Sequence, residues 1–186
     1  MTISIKNNNA LTNLYIGASI GKSFISKCIK KYQNNYEYTH VFYILNNNIN
    51  DIYQKDINNL KTIEAWPKPL YTLGNVHYHK PNDKYKLHIS NTKFMIINLI
   101  VFKEQKQLIE EFLFNQVGKH YDFLGIFNFI IESDLQEQNK WFCSELLVAA
   151  FSYAGIKIYK DKPYKYDIKD FVTNLLDSEY VQLVIT

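Results

Sequence analysis

The chain has 186 residues, of which 47% are hydrophobic and 16% aromatic, enough to build one domain with a substantial core over residues 1–186. Its 21 basic and 18 acidic side chains are scattered along the sequence and leave a net charge of +3, without the concentrated basic stripe that binds phosphate backbones. The composition therefore predicts a single folded domain and excludes nucleic acid as the expected partner.

The N-terminal residues show no signal-peptide pattern, and the longest apolar run, residues 94–102, is far short of the roughly 20 residues that span a bilayer. We therefore expect a cytoplasmic protein without a transmembrane segment. The abundance of Asn, Lys and Ile is typical of AT-rich coding, as in viruses, phages and low-GC bacteria, so a host cytoplasm or a virion is an alternative location. Because a cytoplasm keeps thiols reduced, Cys28 and Cys143 are expected to be free.

The first predicted elements are a strand at residues 14–16, a turn at 17–21 and a helix from Lys22 onward. Cys28 lies on the apolar face of this helix and is expected to be buried and inert. The turn also invites a phosphate-binding interpretation, since Gly21 is followed by Lys22 and a serine. A P-loop requires four residues between its glycines, and this turn has three, so a P-loop NTPase is a disfavoured alternative.

Two strands rich in β-branched and aromatic residues follow at 38–45 and 61–66. Alternation places His40 on one face of the first strand with Phe42 and Ile44. Glu64 lies among apolar residues in the second strand. A carboxylate in that position needs a partner, or else its pKa must rise until it is neutral.

The next stretch, residues 67–93, reads as mixed and turn-rich. His77 and His79 within it have the period-two spacing that would place both on one side of a strand and allow them to bind a metal. Nothing nearby completes a set of ligands, so no metal ion is predicted. A buried strand at 94–102, an amphipathic helix at 104–117 closed by Gly118, and an apolar segment at 126–131 come next.

Cys143 stands at the start of a predicted helix that runs to residue 154 and ends at Gly155. A thiol in a first turn faces unpaired backbone N–H groups and the positive end of the helix dipole, which favour the thiolate. The alternative is that Cys143 is a small buried apolar residue. A short strand at 156–159, a helix at 168–176 capped by Asp167 and a strand at 180–185 complete an α+β domain with a mostly antiparallel sheet.

A cysteine hydrolase needs a thiol, a histidine to relay its proton, a polar group to hold that histidine, and donors for the oxyanion. Cys143, His40 and Glu64 can fill the first three roles, and the backbone N–H of Cys143 can serve as the first oxyanion donor. Cys143 and His40 are far apart in the sequence, so only the fold can bring them together.

Four motifs follow one another along the chain: Tyr-Thr-His-Val at 38–41, Thr-Ile-Glu-Ala at 62–65, Gly-Lys-His-Tyr-Asp-Phe-Leu-Gly at 118–125 and Trp-Phe-Cys-Ser-Glu-Leu at 141–146. Together they resemble the circularly permuted branch of the NlpC-like, papain-like cysteine hydrolases, in which the histidine strand precedes the cysteine helix. The resemblance covers roughly residues 14–175 and implies a papain-like fold in permuted order.

The resemblance implies that Cys143 is the nucleophile, His40 the base and Glu64 the orienting residue, at a position where relatives often carry His, Asn or Gln. Tyr121 matches a tyrosine near the nucleophile that helps bind the oxyanion, although an ordinary core aromatic is an equal alternative. Ser144 and Glu145 are expected to cap the helix.

The predicted function is hydrolysis of an amide or ester bond in a peptide, peptidoglycan-type or lipid substrate, through an acyl-enzyme and with no cofactor or metal. An acyltransferase or lipid esterase using the same site, and a non-catalytic binding or structural module of the same fold, are the alternatives.

Overall fold

The structure is a computed structural model that describes residues 10–45, 60–66, 74–81, 93–122 and 140–186. Its strands are β1 (Leu11–Ser19), β2 (His40–Ile44), β3 (Thr62–Trp66), β4 (Asn75–His79), β5 (Phe94–Phe102), β6 (His120–Tyr121), β7 (Lys140–Trp141) and β8 (Val181–Ile185). The helices of the described ranges are α1 (Phe24–Tyr32), α2 (Lys103–Gln116), α3 (Cys143–Tyr153) and α4 (Ile168–Leu176), and a 3-10 turn lies at Pro163–Lys165.

The described strands form one sheet in the order β7-β6-β4-β3-β2-β1-β5-β8. Neighbouring strands are antiparallel except β6 and β7, which are parallel. This arrangement confirms the predicted α+β class with a mostly antiparallel sheet. No helix in the described ranges is long and apolar enough to cross a bilayer.

The sheet has two differently covered faces. Side chains of all four helices pack on the first face, where Val41, Tyr43 and Ile63 point, and together they form the larger hydrophobic core. The second face carries a smaller cluster that includes Tyr15, Phe42, Ile44, Leu60 and Ile96. Because successive residues of a strand point to opposite faces, the even-numbered residues of β2 lie on the second face. His40 is one of them.

β1 is three times as long as the predicted strand and continues through Gly17 to Ser19, so the predicted turn at 17–21 is wrong in its first half. Gly17 is the cross-strand partner of Phe42, whose ring covers it so closely that a β-carbon on Gly17 would lie 2.1 Å from the ring. The glycine is therefore there for close packing inside a strand. Since the first residues of the supposed phosphate loop are paired in the sheet, they cannot curl around a phosphate.

Four further predictions need correction or fall outside the description. The turn-rich stretch contains β4, and residues 156–159 form no strand. At the end of α3, Gly155 has a φ of +70°, and the N–H of Ile156 donates to the carbonyl of Phe151 at 3.0 Å. This helix cap occupies the Ile156 amide, so that amide does not pair with a neighbouring strand. Cys28 is half-buried rather than fully buried. The predicted apolar segment 126–131 lies outside the described residues.

Candidate active site

A buried carboxylate forms the centre of the site. Glu64, in the middle of β3, is 0% exposed, and His40, the first residue of β2, is 3% exposed. The Nε2 atom of His40 lies 2.5 Å from Oε2 of Glu64, so the two form a hydrogen bond between neighbouring strands. The partner that a buried Glu64 requires is therefore the histidine that the sequence placed beside it.

A second histidine contacts the same carboxylate. Nε2 of His79, on β4, lies 3.0 Å from Oε1 of Glu64, and His79 is itself buried. His77 is the cross-strand partner of Glu64, and its ring centroid is 5.5 Å from that of His79. His77 and His79 thus share one face, as their spacing predicted, but they flank Glu64. Within the described ranges, no three His, Cys, Asp or Glu side chains are arranged to hold a metal ion.

Aromatic rings surround the His40 side chain. Trp66, two residues after Glu64 on β3, presents its ring edge-on to His40 with a centroid separation of 4.8 Å. Phe42 stacks against His40 on the other side at 6.0 Å. These rings keep water away from the hydrogen bond between His40 and Glu64, and a dry environment strengthens electrostatic interactions within it.

Cys143 occupies the first turn of α3, as predicted, and is 2% exposed. The pairing of β2 with β3 involves Tyr43 and Ile44, beyond the first residues of β2. Ahead of that paired portion, the backbone N–H of Val41 points to the sulfur of Cys143, as do the N–H groups of Ser144 and Cys143 itself. The amide of Val41, the residue that directly follows His40, therefore acts on the thiol and lowers its pKa.

The resting thiol is neutral. Burial raises the pKa of Cys143 to about 12, the three backbone N–H groups lower it, and the charge of Glu64 raises it further. The prediction that the helix start would stabilise a thiolate is therefore wrong. Loss of hydration destabilises the anion by more than the N–H groups and the helix dipole stabilise it. Proton removal from Cys143 therefore requires an acceptor.

Two buried residues fix the first turn of α3 against the rest of the domain. The carboxylate of Glu145 accepts a hydrogen bond from the backbone N–H of Phe142 at 3.3 Å, which is the capping role predicted for it. The hydroxyl of Ser144 donates to the carbonyl of Tyr166 at 2.7 Å. Ser144 thus ties the turn that carries the thiol to the segment preceding α4.

Tyr121, on β6, lies beside this turn. It is buried, and its ring packs against Phe142 with a centroid separation of 6.0 Å. Burial, followed by the charges of Cys143 and Asp122, raises the pKa of the Tyr121 hydroxyl well above its usual value. The hydroxyl therefore remains a neutral hydrogen-bond donor close enough to the sulfur to sense its charge.

Sequence reasoning missed two parts of this site. It did not anticipate that the Val41 amide would bind the thiol, because a backbone contact leaves no residue-type signature. It also did not place His79 on Glu64, although the period-two spacing of the two histidines was the signal for a strand face that could reach β3.

No family model and no curated protein matches the sequence. The fold is similar to the solved structure of the metalloprotein yiiX from Escherichia coli O157:H7, assigned to DUF1105, with a TM-score of 0.59 over 94% of this chain and 96% of that chain. The two sequences are 15% identical. The similarity therefore concerns the α+β fold alone.

Proposed function

We propose that this protein is a cysteine hydrolase with a papain-like fold in circularly permuted order, and that Cys143, His40 and Glu64 form its catalytic triad. The proposal is carried by one observation: His40 is hydrogen-bonded to a fully buried Glu64. The amide of Val41, next to His40, lowers the pKa of the Cys143 thiol, which agrees with the proposal. The order of elements agrees with it, since the histidine strand β2 precedes the cysteine helix α3.

In the proposed reaction, the sulfur of Cys143 attacks the carbonyl carbon of an amide or ester while its proton passes to Nδ1 of His40. Because the thiol is neutral at rest, this transfer accompanies the attack instead of preceding it. Glu64 balances the charge of the imidazolium that results. The tetrahedral oxyanion is held by the N–H of Cys143 and the hydroxyl of Tyr121.

Collapse of this intermediate breaks the bond to the leaving amine or alcohol, which takes the proton from His40 and leaves an acyl group on Cys143. Water then attacks the thioester with His40 as base, which releases the acid and restores the thiol. The substrate classes we propose are peptide, peptidoglycan-type and lipid amides or esters. If another nucleophile replaces water, the same site is an acyltransferase.

A small activated ester tests this proposal without knowledge of the natural substrate. We expect p-nitrophenyl acetate to give a burst of nitrophenolate and an acetyl group that peptide mass spectrometry maps to Cys143. Cys143→Ala should abolish the burst, and His40→Ala should slow it strongly. Acetylation confined to Cys28, or a burst that is insensitive to His40→Ala, would instead favour a non-catalytic module. A panel of acylated lipids, peptides and muropeptides would then separate the substrate classes.

A further inference from the structure

We propose that His79 is a positioning residue, which holds the second oxygen of Glu64 and thereby fixes the orientation and tautomer of His40. This inference rests on the proposed function, because it assigns a fourth residue to the same site. It concerns how His40 is oriented and protonated before the reaction, and it does not change which bonds form or break.

The geometry places Glu64 between two imidazole rings. Its Oε2 lies 2.5 Å from Nε2 of His40, and its Oε1 lies 3.0 Å from Nε2 of His79. β4 pairs with β3 in register, with His77 opposite Glu64 and His79 opposite Thr62. This register puts His79 diagonally across from Glu64, a distance that a long side chain spans. The contact is thus built into the pairing of two strands.

A carboxylate held at one oxygen only can rotate, because the terminal torsion of a glutamate has broad and nearly two-fold preferences. Rotation would carry Oε2 away from His40 or exchange the two oxygens. The His79 ring, whose Nε2 lies 3.0 Å from Oε1, restricts that rotation by packing against the second oxygen, and it attracts the carboxylate when the ring is protonated. His79 also helps to compensate the desolvation of Glu64, which has no exposed surface to share with water.

The contacts also determine where the protons lie. An ionised carboxylate is only an acceptor, so His40, which is hydrogen-bonded to Glu64 through Nε2, must present an N–H from that nitrogen. A neutral His40 with its proton on Nε2 has its lone pair on Nδ1, the nitrogen that must receive the Cys143 proton. By holding the carboxylate in place, His79 secures this tautomer of His40 through Glu64.

The test compares His79→Leu, which removes the polar contact with Glu64, with His79→Gln, whose side-chain amide can place an N–H near the position of Nε2. Thr62→Val is the matched control, because Thr62 is buried opposite His79 and its hydroxyl makes no hydrogen bond within the described chain. The readouts are the rate of the p-nitrophenyl acetate burst and the ring-nitrogen NMR signals of His40 in histidine-labelled protein.

We expect the NMR signals of wild type to show His40 protonated on Nε2, and those of His79→Leu to lose this signature. The burst of His79→Leu should slow roughly 10- to 100-fold, the loss typical when a group that orients a functional side chain is removed. His79→Gln should restore most of the rate and Thr62→Val should keep it. If His79→Leu fails to fold, His79→Asn replaces it, since its shorter amide cannot reach Glu64; equal rates for Asn and Gln would overturn the inference.

The two proposals fail in different ways. If the wild-type burst depends on Cys143 and His40 but His79→Leu leaves both the rate and the His40 signals unchanged, the role of His79 is refuted and the hydrolase stands. If wild type shows no burst on Cys143, the proposed function is refuted, and the NMR signals alone decide whether His79 controls the tautomer of His40.

Discussion

Replacing Glu64 with Gln removes one negative charge from the site while keeping nearly the same shape. Glu64 has no exposed surface and contacts His40 at 2.5 Å and His79 at 3.0 Å. In the proposed reaction Cys143 gives its proton to His40, and the imidazolium that forms has no carboxylate partner in Glu64→Gln. The variant should therefore acylate more slowly than wild type.

The expected size follows from the bond that is lost. A hydrogen bond to a charged group contributes about 1.5–3 kcal/mol, which corresponds to roughly a 10- to 150-fold slower acylation. The neutral thiol makes this dependence stronger, because with a pKa of about 12 only roughly one Cys143 in 10⁴ is ionised at pH 8 without help from a base. Reaction through a thiolate that exists in advance cannot replace the relay.

The free energy of unfolding should fall modestly. The amide in Glu64→Gln has one acceptor oxygen where the carboxylate has two, so a buried polar group loses its partner at a cost of about 1–3 kcal/mol. We therefore expect the burst to slow and the thermal midpoint to fall slightly. Glu145→Gln is the matched control, because it removes a buried carboxylate at the start of the helix that carries Cys143 and should leave the acylation rate close to that of wild type.

The assay is a stopped-flow measurement of nitrophenolate release beside a thermal unfolding curve for each variant. A Glu64→Gln burst within about twofold of wild type would refute the reasoning, since that change is below 0.5 kcal/mol. A slower burst accompanied by a large loss of stability would also count against it, because the effect would then come from the fold and not from the charge.

Three further predictions concern the scaffold. Gly17→Ala should destabilise the domain by about 1–3 kcal/mol in denaturant unfolding, because its methyl group would collide with the ring of Phe42, and Phe42→Leu in the same chain should recover part of the loss. Ser144→Ala should cost about 1 kcal/mol by removing the donor to Tyr166, yet leave the acetyl burst intact at temperatures where the variant is folded; loss of the burst there would mean that Ser144 takes part in the chemistry. Asp167→Ala should cost about 0.5–2 kcal/mol, because the Asp167 side chain accepts the N–H of Asp170 at 2.7 Å at the start of α4, and a thermal midpoint equal to that of wild type would contradict this.

Much of the fold could be read from the sequence where hydrophobic patterns are long. β5 and α4 have the predicted bounds, and β2 and β3 lie within their predicted ranges, because each buries a regular apolar pattern. Gly17 misled the prediction, since a glycine that fits beneath an aromatic ring looks the same in sequence as one in a turn. β4 was missed because its alternating polar residues face Glu64, a partner that only the sheet supplies.

The site, too, has features that the sequence predicts and features that depend on the packing of distant elements. Residue types and order were enough to predict a pairing of His40 with Glu64, because they lie on two strands that follow one another in the sequence, and to place Cys143 at a helix start. The pKa of Cys143 could not be predicted, since it depends on how deeply α3 packs against the sheet. The order of strands likewise determines that His79 reaches Glu64, and no local pattern encodes that order.

The way the site is divided along the chain has a consequence for biosynthesis. The proposed base and its two supports lie on β2, β3 and β4, whereas the thiol arrives with α3. During synthesis from the N-terminus, the ribosome therefore completes the proton-relay half long before the nucleophile exists, and the two halves can meet only after α3 has emerged. A nascent chain would lack the proposed acylation activity up to that point. If β2, β3 and β4 were expressed on one segment and α3 on another, reassembly of the two segments would start that activity.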